Sequence, residues 1–137
     1  MTASEEPTLA DYQRTAALRA AVRSFLQRGE QAARSAGLTP QRHLLLLMIK
    51  GAPDGSETAT VTDLANRMRL AQNTVTELVG RAEANGLLRR EVSERDGRVV
   101  HLRLTPEGER RLAASVADLR TDRETLIAML TAQHDAP

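Results

Sequence analysis

Apolar residues recur along the chain at two different periods. Between Leu9 and Ala36 the spacing is helical, with Leu18, Val22, Phe25 and Leu26 on one face, and Gly37 supplies the stop. Residues 1–8 are acidic and polar and predict a disordered leader. Thr39-Pro40 sets a second helix start, with Thr as N-cap and Pro at the first helical position, where a missing N–H removes no bond. The following LLLLMIK is apolar almost all round, the mark of a helix surrounded by protein, and Gly51 ends it. "GAPDGSETA" then predicts a surface loop with a Pro-Asp-Gly turn.

Two shorter helical patterns follow. Thr62 is placed to cap a short helix carrying Leu64, Ala65 and Met68. A break near Arg69 to Gln72 precedes a second helix from about Asn73 to Asn85, with Gly86 just past its end, where a left-handed residue is wanted. The period then switches to two. "LLRREV" and "VVHLRL" read as strands around an Asp-Gly turn, and in the second Val100, Leu102 and Leu104 alternate with Val99, His101 and Arg103. Thr105-Pro106 repeats the Thr-Pro helix start, and a last helix is predicted to about Thr131. Its Leu112, Val116, Leu119, Leu126 and Leu130 form a heptad-like stripe that wants a partner helix; the alternative is that Thr121-Asp122 caps a separate helix.

Two short helices followed by strand, turn and strand make a winged helix-turn-helix. The predicted fold class is therefore mainly α with a small β wing. A winged lobe over residues 39–104 is flanked by dimerisation helices at 9–38 and 105–137.

Composition narrows the function. With 137 residues and no cysteine, disulfides, Cys-ligated zinc and thiol sensing are excluded, and His43, His101 and His134 lack ligand spacing, so no metal or other cofactor is expected. The longest apolar run, Leu44 to Ile49, is too short to span a bilayer, and the polar N-terminus is not a signal peptide, which points to the cytoplasm and away from membranes. Tyr12 and Phe25 are the only aromatic residues, too few for base stacking on single strands. Neither a phosphate-binding glycine loop nor a His, Cys or carboxylate set at catalytic spacing argues for an enzyme.

The helix from Asn73 carries the most specific signal. On a wheel of about 100° per residue, Val75, Leu78, Val79 and Ala82 point one way, and Asn73, Thr76, Glu77, Gly80 and Ala84 the other. The outer face is short and polar, and Gly80 costs its helix about 1 kcal/mol relative to Ala. Small hydrogen-bonding residues let a helix backbone lie close to base edges in a major groove, whereas a helix built only for solubility more often carries long Lys, Glu and Gln. Gln72, Asn73, Thr76 and Glu77 are the candidate base readers. Glu77 would accept from a cytosine amino group or pair with Arg81 one turn later; pairing is preferred, because a carboxylate facing phosphates is costly. Arg67, Thr74 and Arg81 are candidate phosphate contacts, with simple solvation as the ordinary alternative.

The chain from Thr60 to Gly108 resembles the multiple-antibiotic-resistance regulator (MarR) family of bacterial transcription factors. The matching pieces are "VTDLANRMRLAQNTVTELVGRAEANGLLRR", the wing "ERDGR", and "VVHLRLTPEG". The helix from Thr39 to Lys50 also fits, and the flanking helices match in pattern. The resemblance implies a homodimer whose N- and C-terminal helices interlock and whose winged lobes straddle a pseudo-palindromic DNA duplex as a repressor. The helix from Asn73 would enter the major groove. Arg98 would reach into the minor groove, oriented by Asp96, and Arg95 would touch the backbone. A narrow minor groove concentrates negative potential and draws in an arginine, which agrees with that placement.

Two departures stand out. Glu77 occupies a helix where many members carry a basic residue, and the chain ends at "MLTAQHDAP", where members begin a further helix. Members are often released from DNA by small ligands held between the dimerisation helices and the winged lobe. No motif marks that pocket here; Tyr12, Arg42 and His43 are polar residues on helices that would line it, with surface or core placement the plainer reading. Since residues 61–104 hold eight arginines against six carboxylates, a winged-helix module that binds protein instead of DNA is the rival reading.

Overall fold

The computed structural model describes residues 5–134 except Glu94 and Asp96. Its elements run α1 (Leu9–Ser35), α2 (Pro40–Lys50), α3 (Val61–Met68), α4 (Gln72–Ala84), β1 (Leu88–Val92), β2 (Val100–Leu104), α5 (Pro106–Asp118) and α6 (Arg120–His134).

Threonines start four of the helices. Thr8 and Thr60 close complete capping boxes: each hydroxyl accepts from the backbone N–H three residues on, and the carboxylate of Asp11 or Asp63 accepts from the threonine N–H. Thr39 and Thr105 cap helices with proline in the first turn. The start expected at Thr62 therefore lies at Thr60, because Asp63 completes a box only from there.

Helix α2 is the centre of the core. Its Leu45, Leu46 and Ile49 are fully buried with Leu64 of α3, Val75 and Val79 of α4, Leu87, and Leu88 and Leu102 of the sheet. The α3–α4 turn passes through Arg69, which takes a left-handed conformation at φ 55°. No glycine occupies that position, and the backbone adopts the conformation regardless.

Strands β1 and β2 pair antiparallel from Leu88↔Leu104 to Val92↔Val100. The loop expected to lie wholly on the surface instead ends in a pairing: Ala59 donates to the Leu102 carbonyl at 3.2 Å and accepts from its N–H at 2.8 Å, and Ala59 is buried.

One junction fixes the wing to α5. The Thr105 hydroxyl donates to the Gly86 carbonyl, Thr105 N–H donates to the Leu87 carbonyl at 3.1 Å, and a Cβ on Gly108 would sit 2.0 Å from the Leu87 carbonyl oxygen. The Gly-Leu-Leu and Leu-Thr-Pro-x-Gly sequence pieces are thus two sides of a single contact that only a glycine permits.

The single C-terminal dimerisation helix expected over residues 105–137, with no helix after it, is instead two helices that meet at Leu119, close to the separate start that Thr121-Asp122 offered as the alternative. This splits the heptad-like stripe. Leu112 and Val116 pack into the core of the lobe and Leu119 is buried, whereas Leu130 is exposed. Helix α1 buries only Ala32 and Ala33, near its end, and meets α6 along a groove containing Phe25, Leu126 and Met129. The Arg28 guanidinium lies 3.5 Å from Asp122 and 3.6 Å from Asp118 across it.

Candidate nucleic-acid interface

Helix α4 presents two unlike faces. Val75, Leu78, Val79 and Ala82 are buried, as the wheel predicts, and that face anchors the helix. Asn73, Thr76, Glu77 and Ala84 are exposed on the opposite side. A Cβ on Gly80 would meet nothing within 4 Å, so no neighbouring protein element requires a glycine there. The helix begins at Ala71 without a side-chain cap.

The candidate base readers differ in what already occupies them. Gln72 Nε2 donates to the Thr62 hydroxyl at 3.3 Å, tying the start of α4 to α3. Asn73 Oδ1 accepts from the Thr74 N–H at 3.0 Å, and the Thr76 hydroxyl donates to the Gln72 carbonyl at 2.9 Å. Glu77 makes no such contact, and the pairing expected with Arg81 is not formed.

Among the candidate phosphate contacts, Thr74 is half-buried and Arg81 exposed. Arg81 lines a cleft of about 290 Å³ with Leu78 and, from the start of α2, Thr39 and Arg42. Arg67 is placed otherwise: its Nη1 donates to the Met48 carbonyl at 3.1 Å, joining α3 to the end of α2. Arg95 and Arg98 are exposed on the wing between β1 and β2. The expected orientation of Arg98 by Asp96 falls on a residue outside those described.

Of the residues named for a ligand pocket, Tyr12 is exposed on α1, Arg42 is half-buried in the cleft just described, and His43 is buried with Nε2 lacking a hydrogen-bond partner. Burial holds the His43 imidazole below its ordinary pKa.

An ionic chain behind the wing was barely legible in the residue pattern. Lys50 Nζ, at the end of α2, lies 2.7 Å from Glu57 and 3.0 Å from Glu109 of α5. Hydrogen bonds to Glu57 and then Glu109 raise the Lys50 pKa. Arg103 of β2 lies 3.8 Å from Glu57 and 3.1 Å from Glu91 of β1, which also meets Arg89 at 3.0 Å. The one available signal was that Lys50 is the only lysine among eighteen arginines.

Comparison with known proteins matches residues 36–99 to a model described as "MarR family". An uncharacterized HTH-type transcriptional regulator, YsmB of Bacillus subtilis (strain 168), is 33% identical over 84 residues, covering 61% of this chain and 55% of that protein. The chain thus spans only about half the length of that curated relative. A solved structure of a MarR family protein from Bacillus stearothermophilus is 30% identical, with a TM-score of 0.73 and coverage of 91% of this chain and 83% of that one. A MepR mutant from S. aureus, bound to an oligodeoxyribonucleotide, is 20% identical with a TM-score of 0.64, covering 90% and 84% of the two chains.

Proposed function

The chain belongs to the MarR family of DNA-binding transcriptional regulators, and from that premise we propose that it acts in the cytoplasm as a homodimeric, ligand-responsive repressor of a pseudo-palindromic operator. The observation that carries this reading is the outer face of α4: polar, exposed, and opened at Gly80 where no protein atom needs the room. In this reading α4 enters the major groove with Asn73 and Thr76 at base edges, and Arg81 and Arg95 meet phosphates. Arg98 enters the minor groove, and that a protein of similar fold, a MepR mutant, is solved bound to an oligodeoxyribonucleotide supports DNA as the partner.

Dimerisation is supported by where apolar surface is left over. Of the eight large apolar residues exposed among those described, Leu9, Tyr12, Val22 and Leu26 lie on α1, and Ile127 and Leu130 on α6. A ligand response is supported by the rigid link between wing and α5. The Gly108 contact holds α5 against Leu87 at the start of β1, and the Lys50–Glu109 bridge holds it to α2, so in this reading a displaced α5 acts on the lobe through both.

Selection of bound duplexes from a random library tests the proposal. An inverted repeat is expected, with affinity falling steeply as salt rises because phosphate contacts release counterions. Arg98→Ala should weaken binding and reduce preference for A·T-rich flanks, and Asn73→Ala should change the selected site. Retention of no duplex at low salt, together with capture of one protein partner, would instead establish the protein-binding alternative.

A further inference from the structure

Among the described carboxylates, all but Glu5, Glu6, Glu77 and Glu124 have a partner. Asp11 and Asp63 close capping boxes, and Asp54 accepts from the Ser56 N–H. Glu30, Glu57, Glu83, Glu91, Glu107, Glu109, Asp118 and Asp122 meet arginine or lysine. Of the four without one, Glu77 alone lies in the winged lobe. It stands exposed in the first half of α4, four residues after Asn73 and three before Gly80. Arg81, one turn on, does not neutralise it.

A bare carboxylate is an odd choice for a surface meant to approach phosphates, since it repels them and contributes nothing to packing here. It is useful only if a donor on the DNA meets it. Base edges in the major groove offer few. Guanine presents two acceptors, and thymine an acceptor and a methyl group. Adenine presents an amino donor beside the N7 acceptor, which faces the second carboxylate oxygen with like polarity. Cytosine presents an amino donor with no acceptor beside it on its own base. A carboxylate has two acceptor oxygens and no donor, so among the four bases only cytosine rewards it without a penalty. Gly80 leaves the adjacent turn of the helix bare, so the groove wall can come close enough for a glutamate to reach a base edge.

We propose that Glu77 is a specificity-determining residue that selects cytosine at one position of each operator half-site, at the expense of overall affinity. This inference rests on α4 being the helix that enters the major groove.

The test is duplex selection with the full chain, run in parallel on the wild type, Glu77→Gln and Glu77→Ala, followed by affinity measurements on the selected sites. Both substitutions are at an exposed position and should leave folding intact. The wild type should select a cytosine in each half-site whose replacement weakens binding roughly tenfold. Glu77→Gln should move the preference at that position alone to adenine, because a glutamine amide donates to N7 while accepting from the amino group. Glu77→Ala should erase the preference there and tighten binding to unrelated duplexes. The assignment is overturned if both variants return the wild-type site with cytosine unchanged, or if the position that responds is not cytosine in the wild-type site. A wild type that retains no duplex would remove the DNA-binding reading itself, and this inference with it.

Discussion

Gly108 shows how a single position can fix the relation between two parts of the molecule. Its α-carbon lies so close to the Leu87 carbonyl that a methyl group would overlap the oxygen, and the obstacle is backbone, which cannot swing aside. Gly108→Ala is therefore expected to destabilise the fold by about 3 kcal/mol, the upper part of the usual range for overpacking, measurable by urea unfolding. His43 is the other residue whose surroundings set a measurable property. Its buried imidazole titrates below the ordinary value of 6.5, because burial disfavours the charged form. The unfolded chain takes up a proton near that value while the folded chain does not, so the stability associated with a neutral His43 is complete above it and is lost as pH falls through the lowered folded pKa. His43→Leu also removes a buried nitrogen without a partner. The variant should be the more stable protein, and its advantage should widen between about pH 7.5 and about pH 5.5. A constant difference across thermal melts in that range would disprove the titration account.

Among the elements, the α3–α4 pair is joined through a strained residue. A helix-turn-helix needs a sharp turn, and here Arg69 supplies it from the left-handed region, where a Cβ crowds the following carbonyl. Arg69→Gly should raise stability by about 0.5–1 kcal/mol, less than the full steric cost because glycine also loosens the unfolded chain. Chemical denaturation midpoints would show it, and a loss of stability would mean that the Arg69 side chain contributes more than its backbone strain subtracts. The same turn explains why α4 can lack a side-chain cap. Its start is held instead by the Gln72–Thr62 bond and by the packing of Val75, Leu78, Val79 and Ala82.

For the whole molecule, the unburied apolar face of α1 and the exposed end of α6 ask for a partner, and in the proposed function a second copy supplies it. Leu26→Asp, at a position 60% exposed in the single chain, should leave the lobe folded but convert the protein to monomers by sedimentation. Duplex affinity should then fall about a hundredfold or more, because the two half-sites are no longer bound together. A variant that stays dimeric with unchanged affinity would place the interface elsewhere.

The sequence alone determined the order and kind of the elements, because their signals are local. Thr-Pro starts, the terminal glycines and the switch from a helical period to a period of two each depend on neighbours a few residues apart. The inward face of α4 was legible for the same reason, since the wheel needs only a helix and a core. Tertiary structure decided whatever depends on distant partners. Ala59 joins β2 from a loop, Arg67 turns to the Met48 carbonyl, and Lys50 reaches Glu57 and Glu109. The break at Leu119 likewise goes with the burial of Leu112 and Leu119, which chose between the continuous stripe and the Thr121-Asp122 start that the sequence left open. Glu77 belongs with these. Its spacing to Arg81 permits an ion pair, and only the arrangement of the side chains leaves that carboxylate bare.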